Sequence, residues 1–112
     1  MQYALAPEVH EALVGWALEV WPEEACGLLL GRGTRVVAAR RTRNAAKRPL
    51  LGFVIDPLET LAVAEAAAEG GLEVVGVWHS HPQGEASMSS ADRRGNPFAL
   101  AVVVPILRPP AS

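Results

Sequence analysis

The chain has 112 residues, half of them apolar and 20% charged, with a formal net charge of −2. A length of this order suits one domain, residues 1–112, that buries roughly two thirds of the surface its unfolded form exposes and needs no disulfide to hold a core. The balance excludes a mainly disordered chain, and near-neutral charge argues against a general nucleic-acid binder. Residues 98–107, the longest apolar stretch, contain a proline and reach only about half of the ~20 residues of a bilayer span, so no membrane span is expected. The opening residues lack a basic and then apolar leader, and the single cysteine, Cys26, has no internal partner; both lead to the expectation of a reducing, cytoplasmic setting.

Residues 7–21 open with Pro7 and repeat apolar side chains at Val9, Leu13, Trp16 and Val20, which predicts an amphipathic helix stopped by Pro22. Residues 26–31 and 35–40 are short apolar runs around Arg32-Gly33-Thr34, and predict two strands joined by a tight glycine turn. Residues 53–55 read as a third strand feeding a well-marked helix. Asp56 is its N-cap, Pro57 its first residue, Glu59 its third, and Gly70-Gly71 its stop, with an alanine-rich body suited to close packing on a sheet. Residues 72–78 predict a strand that delivers His79-Ser80-His81-Pro82 at its end. A polar loop, a helical turn from Ser89 and a last strand over residues 98–104 follow, so the expected class is α/β or α+β with a central sheet and two main helices.

Five of the ten cations, Arg40, Arg41, Arg43, Lys47 and Arg48, fall within nine residues. Such a run reads either as a solvated strand end and loop or as a docking patch for an acidic protein partner. His10 is alone on the first helix and is expected to face solvent. Cys26 opens an apolar strand and is expected to be a packed thiol, not a nucleophile.

The informative stretch is His79-Ser80-His81-Pro82, six residues, then Ser89-Ser90-Ala91-Asp92. On a strand, residues two apart share a face, so the two imidazoles can converge on one point. Two imidazoles and a carboxylate suit zinc, and a fourth position left to water distinguishes a catalytic site from a closed one. The same residues have another reading: the histidines as polar residues where a strand leaves the core, and Ser89 with Asp92 as a helix cap.

The string Val77-Trp78-His79-Ser80-His81-Pro82 with Ser89 and Asp92 at this spacing resembles the JAMM (MPN-type) zinc metalloproteases. Pro22-Glu23-Glu24-Ala25-Cys26-Gly27 looks like the family's glutamate-bearing segment. Arg43-Asn44-Ala45-Ala46 and residues 52–57 are similar to the middle region of its small prokaryotic, deubiquitinase-like or sulfur-carrier-processing members. The resemblance implies an MPN/JAMM-like, cytidine-deaminase-like fold with a central mixed sheet and flanking helices. It implies one Zn2+ per chain on His79, His81 and Asp92, with Glu24 as general base and then general acid, and Ser89 as the hydroxyl that bonds the oxyanion.

By the same resemblance the chain is expected to hydrolyse the bond after the C-terminal Gly-Gly of a ubiquitin-like or sulfur-carrier protein, from lysine conjugates or linear fusions. Release of cysteine or another small amine from the carrier's C-terminus is a close variant. A non-catalytic MPN-type scaffold and a small-molecule zinc deaminase or amidase stand as alternatives. An exposed sheet edge offers a route to a homodimer, and the loop over residues 82–88 is a candidate lid that the sequence alone does not decide.

Overall fold

The computed structural model describes residues 3–82, 98 and 100–106. In chain order these form β1 (Ala4–Leu5), α1 (Pro7–Val20), β2 (Cys26–Arg32), β3 (Arg35–Thr42), α2 (Pro57–Glu69), β4 (Glu73–His81) and β5 (Leu100–Pro105). The five strands make one mixed sheet in the order β1-β3-β2-β4-β5, with β2 antiparallel to both neighbours and the two edge pairs, β1 with β3 and β4 with β5, parallel. No helix among the described residues is long and apolar enough to cross a membrane.

α1 buries Val9, Leu13 and Ala17 against Leu29, Val36, Trp78, Val104 and Ile106. Trp16 stacks on Trp78 with ring centroids 5.7 Å apart. Val9 and Leu13 each contribute roughly 1.5–3 kcal/mol by leaving water. The expected hairpin forms, with Gly33 at φ +58 in the turn between β2 and β3; the left-handed conformation there favours glycine.

The Trp78 side chain reaches across β2. Its Nε1 donates to the Arg40 carbonyl on β3 at 3.1 Å, passing over Gly27. A Cβ at Gly27 would sit 2.5 Å from that nitrogen and closer still to the Arg40 oxygen. Gly27→Val is therefore expected to lower stability by about 3 kcal/mol, combining an overpacked core with the loss of this part-buried hydrogen bond. Urea unfolding followed by tryptophan fluorescence measures it.

Three expectations need correction. Residues 53–55 are not a strand: the Val54 N–H donates to Asn44 Oδ1 at 3.2 Å and the Val54 carbonyl accepts from Ala45 N at 2.8 Å, so this backbone pairs with a loop instead of the sheet. α2 has the expected start, Asp56 Oδ1 accepting from Leu58 N at 2.9 Å, and the expected stop at Gly70. Its packing is looser than its alanines suggested, since Ala67 alone is fully buried on the helix while Leu58 and Leu61 are 75% and 55% exposed. β5 begins two residues later than expected and admits Pro105 because, among the described residues, it pairs on one side only, with β4, leaving an edge where a missing N–H is tolerated. The expected helical turn from Ser89 and the 82–88 loop, beyond Pro82, lie outside the described residues.

Candidate active site

β4 ends in His79-Ser80-His81, and strand alternation divides these residues between the two faces of the sheet. Trp78 and Ser80 turn toward the α1 side, while Val77, His79 and His81 turn toward the α2 side. The two Nε2 atoms lie 2.9 Å apart, with ring centroids at 4.8 Å. His79 is 1% exposed and stacks on Phe53, centroid to centroid 4.5 Å. One wall of its pocket is therefore an aromatic ring that fixes the imidazole plane.

Glu24 arrives from the segment just before β2. The β2–β4 register pairs Cys26 with His79, and continuing it by two residues sets Glu24 opposite His81. Two hydrogen bonds hold that continuation in place: Ser80 N donates to the Ala25 carbonyl at 2.9 Å, and Ala25 N donates to Ser80 Oγ at 2.8 Å. The serine between the two histidines thus uses its buried hydroxyl to anchor the glutamate segment from the opposite face.

Glu24 is only 9% exposed, and one donor atom from each of Glu24, His79 and His81 falls within 4.8 Å of the others. Glu23, its neighbour, is exposed and outside this cluster. Two nitrogens bound to one tetrahedral zinc lie about 3.3 Å apart at Zn–N distances near 2.0–2.1 Å. The two Nε2 atoms already approach that separation, and a carboxylate at this range can bind an ion or face it across a water. Donor chemistry and convergence both fit a divalent metal of the zinc type. Ser89 and Asp92, the other expected site residues, lie outside the described residues.

The backbone of Glu24 is held by the loop over residues 43–54. Its N–H donates to the Pro49 carbonyl at 2.8 Å, and its carbonyl accepts from Asn44 Nδ2 at 3.0 Å. Asn44 was legible only as part of a family-like string, and Phe53 only as part of another such string and as a supposed strand residue. Neither role carries a local sequence signal, because each depends on a contact between distant segments. Beside Phe53 a cavity of about 340 Å³, lined by Leu28, Phe53, Val54, Ile55, Pro57 and Thr60, opens on the face that carries His79.

Cys26 is buried, with its sulfur 3.5 Å from Thr42 Oγ1. Burial pushes the thiol up to about 11, against the smaller opposing effect of the Thr42 hydrogen bond. A thiol that stays protonated and covered at neutral pH is a poor nucleophile. Iodoacetamide at pH 7.5 is expected to leave Cys26 unmodified in the native protein and to alkylate it in urea, as intact mass reads directly. His10 is exposed on α1, as its isolation in the sequence suggested.

The family described as prokaryotic homologs of the JAB domain matches residues 6–109. A desampylase of Haloferax volcanii is 38% identical over 96 residues, covering 80% of this chain and 69% of the relative. A probable TtuB-protein conjugate cleaving protease of Thermus thermophilus is 35% identical over 71 residues, 63% of this chain, which spans less than half, 47%, of that relative's length. Among solved structures, the solution structure of a Desulfitobacterium hafniense protein superposes with a TM-score of 0.71 at 33% identity, covering 80% of this chain and 64% of the other.

Proposed function

Since the chain belongs to the family of prokaryotic JAB-domain proteins, we propose that it is a zinc-dependent isopeptidase that hydrolyses the bond after the C-terminal Gly-Gly of a ubiquitin-like or sulfur-carrier protein. The observation that carries this reading is the convergence of Glu24, His79 and His81 donor atoms within 4.8 Å at the end of β4. The relatives' names point the same way, one of them describing cleavage of protein conjugates. The cavity beside Phe53 and the exposed basic residues Arg40, Arg43, Lys47 and Arg48 give a partner apolar and cationic surface near the site.

His79 and His81 would hold the ion, with Asp92 as the further ligand that the motif supplies. When bound, zinc contributes Lewis acidity, polarising a carbonyl and acidifying water. The Glu24 carboxylate takes a proton from the attacking water and delivers it to the departing lysine nitrogen, so that OH is added to the glycine carbonyl carbon and H to the amine. The hydroxyl of Ser89 donates to the carbonyl oxygen as negative charge develops there. Burial of Glu24 and His79 keeps both side chains in fixed positions before substrate arrives. The Gly-Gly tail suits a narrow approach because it has no side chains to clash.

The test presents the zinc-loaded protein with two substrates, a Gly-Gly-tailed sulfur carrier joined to a lysine side chain and the same carrier bearing a C-terminal cysteine. Cleavage of the lysine conjugate, stopped by chelator and restored by zinc, is the expected result. Cleavage of the cysteinyl adduct alone would move the assignment to release of a small amine, and cleavage of neither would overturn it.

A further inference from the structure

Glu24 precedes β2, so its N–H and C=O are outside the ladder that fixes its neighbours from Cys26 onward. Both groups instead bond to one loop: the N–H to the Pro49 carbonyl, the C=O to Asn44. Asn44 also holds the rest of that loop. Its Nδ2 donates a second bond to the Gly52 carbonyl at 2.9 Å, while its Oδ1 accepts from Ala46 N at 3.0 Å and Val54 N at 3.2 Å. A side-chain amide has two donor hydrogens and two acceptor lone pairs, and here all four are used, which also fixes which way the amide points.

Phe53, between Gly52 and Val54, stacks on His79. One side chain therefore spans from the backbone of Glu24 to the two residues that flank the ring covering a histidine of the site. We propose that Asn44 is a positioning residue that locks Glu24 and the Phe53 cover of His79 into one frame, so that the carboxylate is in register with the histidine pair before substrate binds. This rests on the reading of Glu24 as the general base, and the experiment below separates the two.

Asn44→Asp keeps the shape and the acceptor oxygen but turns the donor toward Glu24 and Gly52 into an oxygen facing two carbonyls. Misplacing a catalytic group by about 1 Å can cost on the order of 100-fold. The expected loss in kcat is therefore about 10- to 100-fold on a fluorogenic Gly-Gly-lysine isopeptide, with KM nearly unchanged and zinc content as in the parent. In the zinc-free protein the Glu24 amide should also exchange its hydrogen faster, a readout independent of turnover.

The decisive comparison is a double-mutant cycle with Glu24→Gln. If Asn44 acts through Glu24, Asn44→Asp costs little further kcat once the carboxylate is gone. An undiminished loss in the Glu24→Gln background, or a lowered melting temperature with kcat unchanged, would overturn the proposal while leaving Glu24 as the base. Parent-like activity of Glu24→Gln would overturn the base assignment and this proposal with it. Should Asn44→Asp fail to fold, Asn44→Ser, which keeps a short donor, enters the same cycle with the same expectations.

Discussion

Glu24→Gln is expected to reduce kcat about a thousandfold while the protein stays folded and keeps its zinc. The substitution preserves size and hydrogen-bonding capacity but removes the carboxylate proposed to accept the water's proton. The backbone of Glu24 is held by Pro49 and Asn44, and its neighbour Ala25 by Ser80, none of which depends on the carboxylate. The fold should therefore not register the change. Elemental analysis, a melting curve and single-turnover rates separate the outcomes: loss of turnover together with loss of zinc would make Glu24 a ligand and not the base.

His81→Ala should have the opposite signature. Removing one of about four ligands from a site whose total binding is on the order of 10–16 kcal/mol costs roughly 3 kcal/mol, about two orders of magnitude in zinc affinity, and turnover falls with it. His81 is the better probe of the pair. His79 is fully buried and stacked on Phe53, so truncating it would also open a cavity, whereas His81 is partly exposed and its loss should leave the melting temperature of the zinc-free protein nearly unchanged. Titration with a zinc indicator dye gives the affinity, and full zinc binding with full activity in His81→Ala would refute the site.

Much of this site was legible in the sequence because it depends on local geometry. His79 and His81 sit two apart on a strand, so their shared face follows from alternation alone. The cap at Asp56 and the glycine turn after Arg32 are likewise written in adjacent residues. That Glu24 and not its neighbour Glu23 comes to lie opposite His81 was not local: the family resemblance pointed to Glu24, whereas its position depends on the register that pairs Cys26 with His79, which no short stretch encodes. Residues 53–55 look like a strand because apolar residues of high β-propensity are common to both strands and covered loops; the amide of Asn44, ten residues away from Val54, decides which. Leu58 and Leu61, read as part of a packing helix, face outward, and Ala67 near the helix's end is the residue that α2 buries. The fold class and its two helices were within reach of periodicity, whereas the frame around Glu24 required tertiary contacts.

The central claim is that Glu24, His79 and His81 belong to a catalytic metal centre. The most direct measurement is the zinc content of the purified protein by elemental mass spectrometry after dialysis without chelator. The account predicts about one zinc per chain, removable by chelator and recovered when zinc is returned. A protein that holds essentially none and takes up none on addition would contradict it, leaving His79 and His81 as polar residues, one buried and one partly exposed, at the end of β4.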